Sequence, residues 1–296
     1  LKDSQGNYFE LTPDDMHRRI AREIARIERK YKNPMGEQLL FDLMSHFRYL
    51  VPQGSPMAGI GNNLQVGSLS NCFVIGLKGE PDSYGGIINI DEEQVQLMKR
   101  RGGVGHDLSH LRPKGAEVKN SALTSTGLVP FMERYSNSTR EVAQDGRRGA
   151  LMLTVSVKHP DSEAFVDAKM TEGKITGANV SLKIDDAFMQ AAIEGKEYTQ
   201  QYPIHAEKPK YSQKIDATTF WRAQSLACFS GILLFVNHCP TAMPTLASRR
   251  FQLILVVKSH CVLTTVADCW QSTSIPTLRI LSLQTLNSIS ASLRSM

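Results

Sequence analysis

The feature that most limits what this chain can fold into is a change of texture after Trp221. Residues 1–221 hold 20 of the 21 glycines and all 8 tyrosines. Residues 222–296 hold one glycine (Gly231), one acid (Asp268), no tyrosine and four of the five cysteines. Ordinary domains carry about 7% glycine and about 25% charged residues, so the second stretch lacks the composition of a globular domain. It also lacks sustained helical or strand periodicity, and no internal repeat is visible anywhere. A fold is therefore expected in the first 221 residues, and residues 222–296 are expected to have no native fold.

Local signals in the first part are clear. Thr12, Pro13 and Asp15 combine a hydroxyl cap, a proline at the first helical position and an acid at the positive helix end. Met16, Ile20, Ile24 and Ile27 follow at spacings of four, four and three, which predicts one apolar stripe. A second helix is expected from Gly36 to Phe47 through Leu39, Leu40 and Leu43, so residues 1–50 read as a helical region. Beyond Val51 the texture alternates. Helices are expected at 91–100, capped by Asp91, near 130–143, at 161–169 and from Asp185, with strands at 150–157 and 177–183. Alternating strands and helices joined by short glycine-rich segments predict an α/β architecture.

Composition narrows the function classes. The formal charge is +5, but bases and acids interleave, as in RRIAREIARIERK (18–30), so no nucleic-acid partner is expected. No run of eighteen apolar residues and no signal-peptide order occurs, which predicts a cytoplasmic protein with no membrane partner. The chain begins at Leu1, close to a helix start, and upstream material is expected to be missing. Five cysteines without a CxxC argue against a zinc cage or a disulfide framework, and no metal site is expected.

Three segments carry possible chemistry, and each has a bland reading beside it. SNCFVIG (70–76) puts Cys72 at the head of an apolar β-type run, either as a thiol at a strand end or as a small buried hydrophobe. MKRRGGVGHDLSHLRPKG (98–115) offers glycines that admit a ligand to the main chain and cations for phosphate, or else a tight turn with a solvated basic face. QDGRRGALM (144–152) sets two guanidinium groups in a flexible turn before a strand.

In this order the segments resemble the large subunits of ribonucleotide reductases, over about residues 1–221. The most specific stretches are VPQGSP (51–56), SNCF (70–73), PDSYGG (81–86), KRRGGVGHDLSHLRPKG (99–115), SALTSTGLVPFM (121–132), GRRGALM (146–152) and HPDSEAFVDAK (159–169). RRGALM followed by HPD and FVDAK is most similar to the adenosylcobalamin-dependent class. The class that draws its radical from a separate diiron subunit remains the alternative.

The resemblance implies that residues 51–221 form the first part of a ten-stranded α/β barrel, and it assigns roles residue by residue. Cys72 matches a redox-active cysteine that delivers reducing equivalents to the ribose 2′ carbon and ends as a disulfide. Ser55, Asn71, Gly102 and Gly103 match positions lining the substrate ribonucleotide, with Asn71 in place of the usual serine. Asp82, Ser83, Lys99 and Arg112 match a site for a deoxynucleoside triphosphate effector at a homodimer interface. Asp145, Gly146, Arg147 and Gly149 belong to the loop between effector and substrate, from which Arg148 reaches the substrate. A thioredoxin-like dithiol is the implied reductant. Adenosylcobalamin is the implied cofactor, with no binding residue identifiable in this chain.

The resemblance stops where the family continues to NPCGEIP, whose cysteine becomes the thiyl radical and whose glutamate serves as acid and base. Neither that motif nor the helix before it occurs here. CPTAMPTLASRRFQLILVVKS (239–259) can be encoded by codons that, read one base earlier, give PDCYADFGFQTVSTNPCGEI. In the same frame CVLTTVADCWQSTSIPT (261–277) can yield LCPYDSCRLLAVNLYSYV, which contains the cysteine that would partner Cys72. These strings predict a frame change near Trp221–Arg222. They predict accidental roles for Cys228, Cys239, Cys261 and Cys269, and they leave windows such as ILLFV (232–236) with nothing to pair against. The chain is then a fragment that binds nucleotide without catalysing.

Overall fold

The computed structural model describes residues 1–76, 79–142, 149–227 and 232–236. Contacts divide the chain into Leu1–Leu263 and Thr264–Met296, and every described residue lies in the first unit.

Helix α1 (Pro13–Glu28) starts as its local chemistry dictates. Thr12 Oγ1 accepts the Asp15 N–H, and the Asp15 carboxylate accepts the N–H groups of Leu11 and Thr12, closing a capping box. Its buried face is Ile20, Ala21 and Ala25, with Met16 and Ile24 at the edge, while Ile27 sits at the exposed rim. Helix α2 (Glu37–Met44) packs against it through Leu40, Phe41 and Met44; Leu39 faces outward. A 3-10 turn (Ser45–Phe47) ends α2 earlier than the expected Phe47, with His46 and Phe47 at positive φ. The two helices thus enclose a small core separate from the main one. A short helix, α3 (Gly54–Gly59), leads on from it.

The main core surrounds a parallel sheet of five strands. In chain order the elements are β1 (Cys72–Val74), α4 (Tyr84–Met98), β2 (Gly103–Asp107), α5 (Val129–Glu141), β3 (Leu151–Ser156), α6 (Ser162–Met170), β4 (Asn179–Ile184), α7 (Asp186–Glu194), β5 (Glu197–Tyr202), β6 (Tyr211–Asp216), α8 (Ala217–Ala227) and β7 (Ile232–Val236). The sheet order is β1-β2-β3-β4-β7, and β5 and β6 form a separate antiparallel hairpin. The strands follow one another in sequential order, all parallel, with a helix between each neighbouring pair, the arrangement from which barrels are built. The described strands nevertheless form an open sheet, so the expected ten strands and their closure are not seen. Burial alternates along β3, with Leu151, Leu153 and Val155 inward against Phe165, Val180 and Leu182. Each such side chain, fully buried, stabilises the fold by roughly 1.5–3 kcal/mol.

Two expectations are corrected. The helix expected at 91–100 starts at Tyr84, where Ser83 Oγ accepts the Gly86 N–H at 3.0 Å. Asp91 does not cap it. It lies buried in mid-helix, with Oδ2 2.9 Å from Arg134 Nε on α5. The second correction concerns ILLFV (232–236), expected to have nothing to pair against. Helix α8 runs unbroken through Trp221 and Arg222 to Ala227, and β7 pairs in parallel with β4 from Val180↔Ile232 to Ile184↔Val236. ILLFV therefore has a partner in β4.

Candidate functional site

The parallel strands bring Asn71, Cys72, Gly102 and Gly103 to one edge of the sheet. Cys72 pairs with Gly103 in register, and its residue is exposed. The Gly103 N–H donates to the Asn71 carbonyl at 2.5 Å, and a Cβ at Gly103 would lie 3.2 Å from that oxygen and 3.7 Å from Cys72 Sγ. A Cβ at Gly102 would lie 2.7 Å from the Phe73 ring and 3.1 Å from the Leu97 carbonyl. These glycines let β2 lie closely against β1. The left-handed residue of the turn is Arg101, at φ 69°.

Asn71 is held at both ends of its amide. Its Oδ1 accepts the Ser55 N–H at 2.7 Å, and its Nδ2 donates to Gln53 Oε1. Ser55 is 2% exposed, and its Oγ has no hydrogen-bond partner among the described residues. Burying a hydroxyl unpaired costs about 1–3 kcal/mol, so this atom suits a ligand that supplies the missing bond. Four of the residues matched to substrate, Ser55, Asn71, Gly102 and Gly103, thus gather beside Cys72. The fifth, Arg148, lies outside the described residues with Asp145, Gly146 and Arg147. Gly149 is described, and there a Cβ would meet the Thr139 carbonyl at 2.8 Å. With Arg140, Thr176, Gly177 and Asn179 it lines a cavity of about 530 Å³ at the starts of β3 and β4.

Behind this edge, Gln94 on α4 ties three elements together. Its Nε2 donates to the Tyr135 carbonyl and Thr139 Oγ1, and its Oε1 accepts from His106 Nε2 at 3.2 Å. Burial pushes the His106 pKa down to about 3, so the ring is neutral.

Asp82, Ser83 and Arg112 meet at a second cavity, of about 320 Å³. The Arg112 N–H donates to Asp82 Oδ1 at 3.0 Å and its Nε to Asp82 Oδ2 at 2.8 Å. Arg112 Nη1 donates to the Glu117 carbonyl at 2.8 Å, and Nη2 to the Asp82 carbonyl at 3.3 Å. Ser83 Oγ donates to the Glu80 carbonyl while capping α4. Asp82 and Arg112 therefore act first as a clamp between two walls. Lys99 is not brought to this cavity. It ends α4 at the other extreme, sixteen residues from Ser83, or about 24 Å along the axis.

The sequence reading missed the opposite wall, where Lys119, Asn120, Thr124, Ser125 and Thr126 line the cavity. An isolated bridge, Glu117↔Thr124, folds this segment back on itself. Its one signal was the hydroxyl-rich run SALTST, which reads as loop until the fold places it. Lys119 supplies a cation, and the hydroxyls supply donors for an anionic, hydroxylated ligand. Tyr202 reaches the same clamp from β5, and burial together with Asp82 pushes its hydroxyl pKa well up.

Among the described residues no group of His, Cys, Asp or Glu is arranged to hold a metal ion, and no helix is long and apolar enough to cross a membrane.

Comparison with known proteins converges on one family. The model of the ribonucleotide reductase barrel domain matches residues 70–223, just over half the chain. A vitamin B12-dependent ribonucleoside-diphosphate reductase from Mycobacterium tuberculosis is 32% identical over 195 residues, covering 64% of this chain and 27% of that protein. One from Thermoplasma acidophilum is 30% identical over 175 residues, covering 58% and 22%. Ribonucleoside-diphosphate reductase large chain 2 of Saccharomyces cerevisiae is 34% identical over 144 residues, covering 47% and 16%. The chain spans about a quarter of the length of the bacterial relative. Taken with the sheet edge at Cys72, these matches mean that the chain belongs to the ribonucleotide reductase large-subunit family, through its barrel domain.

Proposed function

We propose that the protein to which this chain belongs reduces ribonucleotides to 2′-deoxyribonucleotides by thiyl-radical chemistry. The observation that carries this is an exposed Cys72 in register with Gly103, beside an Asn71 fixed by Ser55 and Gln53. In the proposed reaction Cys72 and a second cysteine supply two electrons and two protons. The 2′-hydroxyl leaves as water, a C–H bond replaces the C–O bond, and the sulfurs close as a disulfide for a dithiol reductant to reopen. Asn71, Ser55 and the close β1–β2 backbone hold the ribose side of the substrate.

Adenosylcobalamin is the proposed radical initiator, supported by the names of the M. tuberculosis and T. acidophilum relatives. The residues described here do not fit a corrinoid. Both cavities have the size of small-molecule sites, and neither is lined by a histidine. A diiron-dependent large subunit is the alternative, and the yeast relative is named a large chain without mention of vitamin B12.

The cavity at Asp82, Arg112 and Lys119 is proposed to take a deoxynucleoside triphosphate, with a homodimer partner alongside and the loop 145–149 passing its state to the substrate. A cytoplasmic location is proposed with it. The 296-residue chain itself is proposed to bind nucleotide without turnover, because its sequence contains no NPCGEI. The frame change is proposed near Trp221–Arg222, ahead of the string that begins at Cys239. The nucleotide sequence over codons 215–262 tests this. A single-base correction that restores NPCGEI is the expected finding, and codons allowing no such correction overturn the frame reading. Titration with the four deoxynucleoside triphosphates tests the cavity, where binding by none refutes the effector assignment.

A further inference from the structure

Tyr202 and Tyr211 are the last register pair of the β5–β6 hairpin, and both hydroxyls leave the hairpin for the cavity walls. The Tyr202 hydroxyl donates to the His110 carbonyl at 2.8 Å and to Asp82 Oδ2 at 3.2 Å, sharing one proton between them. The His159 ring packs edge-on against Tyr202, with centroids 5.8 Å apart, which limits where the phenol can swing. Tyr211 Oη accepts the Glu117 N–H at 2.9 Å. The Glu117 carbonyl accepts Arg112 Nη1, and Arg112 Nε donates to Asp82. The bonds therefore close a ring: Tyr202, Asp82, Arg112, Glu117, Tyr211 and back through the strand pair. One side of the ring is the turn that begins α4. The other is the segment that carries Lys119 and the hydroxyl run.

We infer that Tyr202 and Tyr211 are positioning residues of the nucleotide cavity, holding its two walls at a set separation before the ligand arrives. The inference rests on reading that cavity as a deoxynucleoside triphosphate site. Its physical basis is preorganisation. A segment held only by Arg112 would have to be ordered when the ligand binds, at the expense of affinity, whereas a hairpin fixed to both walls orders it beforehand. Neither phenol lines the cavity, so each acts through Asp82 or Glu117 rather than by touching the ligand.

The test uses the 296-residue chain and four variants: Y202F, Y211F, the double variant and Q213A. Gln213 lies on the same hairpin, but its Nε2 donates to the Pro160 carbonyl at 3.0 Å and to Gln200 Oε1 at 2.7 Å, and neither Gln213 nor these partners line the cavity. Calorimetric titration with each of the four deoxynucleoside triphosphates is paired with the thermal midpoint of each variant. Y202F and Y211F should each raise Kd about five-fold, the effect of one neutral hydrogen bond. The double variant should raise it by less than the product of the two, because either cut opens the same ring. Q213A should lower the midpoint and leave Kd unchanged. Unchanged Kd in both phenylalanine variants, with the parent chain binding, overturns the inference alone. An equal rise of Kd in Q213A overturns it too, since the effect would then be general loosening. Absence of binding by the parent chain overturns the cavity reading and this inference together.

Discussion

Replacing Gly102 with alanine tests whether the glycine pair at the start of β2 serves the packing of β1, the strand that carries Cys72. An added Cβ would meet Phe73 Cε2 at 2.7 Å and Cδ2 at 2.9 Å, and the Leu97 carbonyl at 3.1 Å. The Phe73 ring is half-buried and can yield, whereas the carbonyl belongs to the end of α4 and cannot move without the helix. Overpacking of this kind costs about 1–3 kcal/mol. Gly102 is not at positive φ, so alanine also stiffens the unfolded chain and returns about 0.4–1 kcal/mol. The net expectation is a loss of about 1–2 kcal/mol. Gly105→Ala is the control, because its nearest neighbours, Met152 Cβ and the Met152 carbonyl, are 3.7 Å away. It should be neutral or slightly stabilising. Urea unfolding of both variants, followed by tryptophan fluorescence and far-UV circular dichroism, reads the difference. A Gly102→Ala protein as stable as the parent, or an equal loss in Gly105→Ala, would refute the packing argument.

Three further outcomes follow from the site. In a frame-restored protein, Cys72→Ser should abolish multiple-turnover reduction with a dithiol while nucleotide binding persists; normal turnover would remove Cys72 from its role. Asp82→Ala or Arg112→Ala should weaken deoxynucleoside triphosphate binding by about 1–3 kcal/mol, the scale of a lost charge-assisted hydrogen bond, and an unchanged isotherm would move the site elsewhere. His106 has a native pKa near 3 against 6.5 when exposed, so the unfolded chain binds the extra proton as pH falls between those values. Its share of stability is present above about pH 6.5 and is lost below it at about 1.4 kcal/mol per pH unit, or about 2 kcal/mol by pH 5. His106→Gln should flatten the pH dependence of urea midpoints by one proton, and an unaltered slope would contradict the buried neutral ring.

What could be read in advance follows from how local each signal is. Thr12 and Asp15 interact within one turn, so the start of α1 was legible, as was α7 behind Asp185, whose carboxylate caps Phe188 at 2.7 Å. The start of α4 was not, because Gly85 and Gly86 read as breakers. In the fold Gly86 is needed where a Cβ would fall 2.2 Å from the Glu80 carbonyl. The β5–β6 hairpin escaped notice because it buries Tyr198 and Gln200 rather than an apolar alternation, and because eight residues separate its strands. Family motifs singled out Cys72, Asn71 and Ser55, which the fold gathers at one sheet edge, and Asp82 and Arg112, which it joins by hydrogen bonds. Motif order could not show that Lys99 and Ser83 sit at opposite ends of one helix, or that Lys119 lines the same cavity as Asp82. Those facts depend on the fold, as does the pairing of ILLFV with β4 across a composition break that argued against any partner.

The most direct measurement is ribonucleotide reduction by the frame-restored protein, with a dithiol reductant, in the presence and absence of adenosylcobalamin. Product deoxyribonucleotide should form only with the cobalamin, and the 296-residue chain should form none under either condition. No product from the restored protein under any condition would contradict the proposed activity. Product that needs a diiron partner subunit instead of adenosylcobalamin would contradict the assigned radical source.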